Sequence, residues 1–223
     1  MRRLGIFGAI GLCLLSGLAV AGETVATTSP SAPGRAPRSV DLSPLVIDEM
    51  NGELGQSNWQ NQPDLLGFSV GRFDALRDND RTKRAIDFRA EYRSGLSLLP
   101  LMAPQTFSGW DKTFQIRPMA GIEGTTDGAL YGYGGFVFDI FLTKNIFLSP
   151  SEVVGLFYRG NGKRLGSFVE FRSTFEAGYR FDNNMRLSAS LGHISNAGLT
   201  SYNPGTEIIS GHFYIPTDWI FGK

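Results

Sequence analysis

The feature that most constrains the fold is a strict two-residue alternation in which one face is charged. From Ala85 to Ser94, the residues Ile86, Phe88, Ala90 and Tyr92 alternate with Asp87, Arg89, Glu91 and Arg93. Alternate residues point to opposite faces only on a strand, so this segment presents one apolar face and one fully charged face. The split recurs from Phe168 to Phe181, with Val169, Phe171, Phe175, Ala177 and Tyr179 on one side and Glu170, Arg172, Glu176 and Arg180 on the other. In a soluble sandwich the charged face meets water and the apolar face meets a second sheet. In a membrane barrel the assignment inverts, with apolar residues toward lipid and charges paired in the lumen.

Beyond Asp64 no long helical period appears. Runs bounded by Gly, Asn, Asp and Ser begin near Leu66, Ala85, Thr113, Leu130, Ile146, Phe168, Met185 and Glu207. Eight is an even number and defines the smallest common membrane barrel, whose interior is filled by side chains. The expected fold is therefore all-β, an eight-stranded antiparallel up-and-down transmembrane β-barrel. Phe is abundant at 17 residues, and Trp110, Trp219, Tyr158 and Tyr214 fall near strand ends, where interfacial aromatics sit. The fourth and sixth connections, near Thr143-Lys144-Asn145 and Asp182-Asn183-Asn184, are very short, as periplasmic turns are. The second, around Met102 to Asp111, is longer than that pattern asks.

The N-terminal part sets the compartment. Arg2 and Arg3 precede an apolar run from Leu4 to Ala21 that closes on Ala19-Val20-Ala21, the form of a secretory signal peptide cut after Ala21. Residues 22–63 are rich in Pro, Ser and Thr and are expected to be a mostly disordered extension, with a weak helical signal from Leu42 to Met50; residues 64–223 form the barrel domain. Cys13, the sole cysteine, lies inside the expected leader, so the processed chain has no thiol for a disulfide or metal site. Lys+Arg and Asp+Glu balance at 21 each, which gives no field suited to nucleic acid. The chain ends Trp219-Ile220-Phe221-Gly222-Lys223 rather than on the terminal aromatic common in outer-membrane barrels.

The segment that carries chemistry is Gly192-His193-Ile194-Ser195-Asn196-Ala197-Gly198, followed by Asn203-Pro204-Gly205-Thr206-Glu207. His193 and Ser195 are two apart and share a strand face, with Cα atoms about 6.5 to 7 Å apart. Counting back by twos reaches Leu191, Ala189 and Leu187; counting forward from Glu207 reaches Ile209, Gly211 and Phe213. All three polar residues thus interrupt the oily face. An antiparallel register that sets His193 opposite Glu207 also sets Leu191 opposite Ile209 and Leu187 opposite Phe213, whereas a slip of one residue turns Glu207 into the lumen. The convergence suits an acid that orients a His, which activates a Ser for attack on an acyl carbon. The residues alone leave a second reading open, in which His193 and Ser195 only hydrogen-bond near a strand end.

His-x-Ser-Asn-Ala-Gly with Asn-Pro-Gly-x-Glu at this interval resembles the active-site signature of the lipid A 3-O-deacylase (PagL) family. The resemblance spans roughly Gly67 to Pro216. It implies an outer-membrane barrel that removes the ester-linked acyl chain at position 3 of lipid A, with His193, Ser195 and Glu207 as the triad. It further implies that Asn203, Ala197 and Gly198 help to build an oxyanion hole. Lipid A or lipopolysaccharide is then the partner, no cofactor is needed, the location is the Gram-negative outer membrane, and a homodimer is left open. Alternatives from other classes are a structural barrel such as a small adhesin, and an esterase of the same fold acting on another lipid.

In the expected surface loops, Arg159, Lys163 and Arg164 are candidates for holding substrate phosphates, with ordinary solvated loop charges as the alternative. His212 has lumen parity and is expected to be a hydrogen-bonded core residue. Gly132, Gly134 and Gly135 are expected to permit close packing or a bulge rather than to cradle phosphate. Arg89, Arg93, Glu91, Glu123, Glu170, Arg172 and Glu176 are expected to form a lumenal ion-pair network.

Overall fold

The computed structural model describes residues 62–76, 85–98 and 114–222. The expected signal peptide, the helical signal from Leu42 to Met50 and the long second connection lie outside these residues. The chain forms nine strand segments: β1 (Leu65–Phe73), β2 (Ile86–Arg93), β3 (Phe114–Thr125), β4 (Leu130–Phe141), β5 (Ile146–Leu148), β6 (Ser151–Tyr158), β7 (Val169–Arg180), β8 (Arg186–Ser195) and β9 (Thr206–Pro216), followed by a helical turn, α1 (Asp218–Phe221). Every neighbouring pair is antiparallel, and β1 pairs with both β2 and β9, which closes the sheet on itself.

The fifth barrel strand is the one place where the eight expected runs become nine segments. Leu148 lies opposite Ile140 and Ser151 opposite Val137, so β5 and β6 hold a single register along β4. On the other side Leu148 faces Ala177 and Ser151 faces Thr174, again one register. Pro150 has no N–H for the ladder, yet its carbonyl accepts from Phe138 N–H at 2.8 Å. The two segments are therefore one strand interrupted at Ser149-Pro150, and the barrel has eight strands.

The burial pattern is inverted relative to a soluble protein. On β2, Asp87, Arg89, Glu91 and Arg93 are buried in the lumen while Ile86, Phe88 and Tyr92 are exposed on the outside. On β7, Glu170, Arg172, Glu176 and Arg180 point in, and Phe171, Phe175 and Tyr179 point out. A barrel with an apolar exterior and a charged interior is built to meet lipid.

Two layers fill the lumen. One is ionic: Glu123 Oε2 accepts from Arg89 Nε at 3.1 Å and Arg172 Nη1 at 2.6 Å, while Asp139 Oδ2 accepts from Arg117 and Arg186, each at 2.9 Å. Arg93 pairs with Glu91 at 2.8 Å and Glu176 at 2.6 Å and also donates to Tyr214 Oη. His212 belongs to this layer, with Ser190 Oγ 2.7 Å from Nε2 and Tyr214 Oη 3.2 Å from Nδ1. The other layer is apolar and includes Phe73, Phe157, Leu165, Ile194 and Ile208. Ile194 and Ile208 anchor the ends of β8 and β9 that carry the candidate site.

Gln62 and Pro63, at the end of the expected extension, contact the barrel end. Gln62 is buried, and the Pro63 carbonyl accepts from Arg117 Nη2 at 2.8 Å. Of the three glycines on β4, Gly135 alone is a close-packing position, since a Cβ there would lie 2.2 Å from the Glu152 carbonyl oxygen. A Cβ at Gly132 would meet open space, and one at Gly134 only ordinary contact, which corrects the expectation for those two.

Candidate active site

β8 ends at Ser195 and β9 begins at Thr206, so the connection between them presents its flanking residues side by side at one rim. Ladder pairing sets His193 opposite Glu207, Leu191 opposite Ile209 and Leu187 opposite Phe213, the register that the apolar pattern requires. His193, Ser195 and Glu207 all lie on the outward parity and are partly buried, while Gly192, Ile194 and Thr206 face the lumen. Glu207 Oε1 lies 3.5 Å from His193 Nδ1, the correct ring nitrogen for an acid that leaves Nε2 toward a nucleophile.

Gly205 gives the imidazole its room. A Cβ at this position would stand 2.6 Å from His193 Cε1 and 3.0 Å from Nε2, and the backbone there has φ of 60°. Glycine satisfies both demands at once. Asp74 ties the start of β9 in place, accepting from Thr206 Oγ1 at 3.2 Å, and Ala75 N–H donates to the Glu207 carbonyl at 2.9 Å.

The β8–β9 connection is organised by Asn196, a residue to which the sequence reading gave no separate role. Its fully buried amide lies 3.3 Å from the Leu165 carbonyl and 3.0 Å from both Thr200 Oγ1 and the Tyr202 carbonyl. Its backbone N–H donates to Asn203 Oδ1 at 3.1 Å, which leaves the Asn203 amide nitrogen as that side chain's donor. Its own Oδ1 accepts from Gly198 N–H at 3.0 Å. In this arrangement the Gly198 N–H closes an Asx turn, while the Ala197 N–H has no such partner within the turn. The Asn-x-Gly spacing was the available signal. Ala197 sits between them with φ of 51°.

The basic loop residues do not act as one group. Lys163 Nζ lies 2.6 Å from Asp74 Oδ1, so this side chain bridges the β6–β7 connection to the end of β1. Arg164 lies over the Tyr202 ring at 5.5 Å, and Arg159 is exposed. Among the described residues no group of three or more His, Cys, Asp or Glu is placed to hold a metal ion.

The family model for lipid A 3-O-deacylase (PagL) matches residues 103–216. The crystal structure of the outer membrane enzyme PagL has a TM-score of 0.51 at 23% identity, covering 68% of this chain and 99% of that one. A de novo designed transmembrane β-barrel scores 0.42 at 13% identity, covering 69% of this chain and 98% of that one. The Yersinia pestis outer membrane protein Ail, in a phospholipid nanodisc, scores 0.36 at 13% identity, covering 69% of this chain and 100% of that one. No curated protein matches. The family match takes in more than half of the chain, including both strands of the site, and the chain belongs to the lipid A 3-O-deacylase (PagL) family.

Proposed function

We propose that this chain is a serine esterase of the Gram-negative outer membrane that hydrolyses the ester-linked acyl chain at position 3 of lipid A. The observation that carries the reading is the His193–Glu207 pair, Nδ1 to Oε1 at 3.5 Å, on the lipid-facing wall with Ser195 two residues along the same face. A carboxylate on that wall is costly unless it works, because polar groups facing lipid have no water to solvate them.

In this reading Ser195 Oγ attacks the acyl carbon while His193 Nε2 takes its proton. Glu207 fixes the tautomer and stabilises the imidazolium. The oxyanion meets the Asn203 amide nitrogen and the Ala197 N–H. Collapse breaks the bond to the sugar oxygen, which leaves with the proton from His193, and water then cleaves the Ser195 acyl ester by the same route in reverse. The site lies at the rim that carries the β1–β2, β6–β7 and β8–β9 connections, which we assign to the outer leaflet, where lipid A resides. Export uses residues 1–21 as a cleaved leader. The test is mass spectrometry of lipid A from cells expressing the chain or its Ser195→Ala variant. Loss of one position-3 acyl chain with the parent alone supports the reading; identical lipid A in both removes it.

A further inference from the structure

Four polar side chains interrupt the apolar outer wall in one continuous row. Ladder pairing sets Glu207 opposite His193, His193 opposite Ser173, and Ser173 opposite Glu152. The row therefore crosses β9, β8, β7 and β6 on the outward parity, each member partly buried. The triad uses only the first two. With neighbouring strands about 4.8 Å apart, Ser173 is one spacing from His193 and Glu152 is two, about 10 Å away.

The row also descends into the wall. Glu207 is one residue from the rim end of its strand at Thr206, His193 two from Ser195, Ser173 four from Val169 and Glu152 six from Tyr158. Its lower half lies among Phe136, Val154, Phe171 and Phe175, all exposed apolar side chains. Ser173 Oγ donates to Glu152 Oε2 at 2.7 Å. Among the described residues Glu152 has no arginine or lysine partner, in contrast to the lumenal carboxylates Glu123, Asp139 and Glu176. A carboxylate this far below the rim is difficult to account for as part of the fold alone.

The pair has a definite chemical character. The Ser173 proton is spent on Glu152, so what remains is lone pairs on Ser173 Oγ and on the second carboxylate oxygen. Such a pair repels phosphate and free fatty acid and suits a hydrogen-bond donor. Being one strand from His193, it meets atoms close to the acyl carbonyl held at the triad. We propose that Ser173 and Glu152 form a subsite that accepts a hydrogen bond from a hydroxyl or an amide N–H on the acyl portion of the substrate. The proposal rests on the ester-hydrolase reading above.

The experiment uses the full chain refolded in detergent and three esters of equal chain length: an unsubstituted acyl ester, a β-hydroxyacyl ester, and one carrying an amide N–H near the ester carbonyl. The parent is expected to prefer a donor-bearing ester in kcat/KM. Ser173→Ala and Glu152→Gln should each reduce that preference by about five- to tenfold, the size of one lost hydrogen bond. The ester whose advantage disappears identifies the donor. An unchanged ratio overturns the subsite, as does a parallel fall on all three esters with altered heat-modifiable gel migration, which marks a structural role. A changed oligomeric state with the ratio intact makes the row a seat for a second copy and equally overturns it. Should the parent hydrolyse none of the three, the esterase reading falls and takes the subsite with it; hydrolysis without discrimination sinks the subsite alone.

Discussion

The lumen and the outer wall of this barrel both hold charged side chains away from bulk water, but they treat them differently. In the lumen most carboxylates meet guanidinium groups: Glu123 faces Arg89 and Arg172, and Asp139 faces Arg117 and Arg186, whereas Glu170, expected in the same network, accepts from the Ser167 N–H instead. On the outer wall four polar residues form one row beside Ser195, and within that row Glu207 faces His193 and Glu152 faces Ser173 instead of Arg. Dense mutual pairing is how buried charge is tolerated. Sparse polar groups on an oily face have no such structural justification, so the comparison sets the charges that hold the barrel apart from those we propose to act on a ligand.

The strongest way to break that comparison is to remove the outer wall's reactive residues. Ser195→Ala and His193→Ala should each lower ester hydrolysis on the order of 10⁴-fold, with heat-modifiable gel migration unchanged, because neither residue supports the lumen. Glu207→Ala should leave measurably more activity than either, since the acid orients rather than reacts. Hydrolysis rates of the three purified variants check the order. Equal loss for Glu207→Ala and the lumenal Glu170→Ala would erase the distinction between wall and lumen.

The converse perturbation belongs to stability. Glu123→Leu leaves Arg89 and Arg172 without their shared carboxylate, and removing one partner of a buried ionic cluster costs about 3–5 kcal/mol. The barrel should unfold at lower urea concentration while the folded fraction keeps its turnover per molecule. A loss of turnover without a change in the urea midpoint would mean that the lumen serves the chemistry directly.

Gly205 sharpens the geometric side. Its missing Cβ is the space occupied by the His193 ring, 2.6 Å from Cε1. Gly205→Ala should displace the imidazole and cost on the order of 10²-fold in kcat with little change in the barrel's melting, because small misplacement of a reacting group is expensive. Full activity in this variant would show that His193 does not need its observed position.

Much of this was legible in the residues. The strands begin within one residue of the positions where apolar alternation starts, and the β8–β9 register followed from keeping Leu191, Ile209 and Phe213 on one face. Local pattern carries such information because strand parity is fixed along a run. The rest depends on contacts that no local pattern encodes. Ser173 occupies an apolar parity within a segment read as a clean alternation, and its pairing with Glu152 requires the β6–β7 register. Lys163 reaches Asp74, 89 residues away, so a loop lysine that resembles a free cation is already engaged.

That last contact divides the basic loop residues and yields the smallest predicted effect. Arg159 is exposed, whereas Lys163 is held by Asp74, which also accepts from Thr206 beside Glu207. Lys163→Met should therefore act through the placement of β9 and slow a small soluble ester and bis-phosphorylated lipid A alike, by about two- to fivefold, the range of a partly exposed ion pair. Arg159→Gln should act only where there is phosphate to bind, weakening KM for bis-phosphorylated lipid A by a similar factor while sparing the soluble ester. The two variants, each assayed on both substrates, distinguish a cation that shapes the site from one that meets the headgroup. Identical profiles for the two would return both residues to ordinary loop charge and leave recognition to the outer wall.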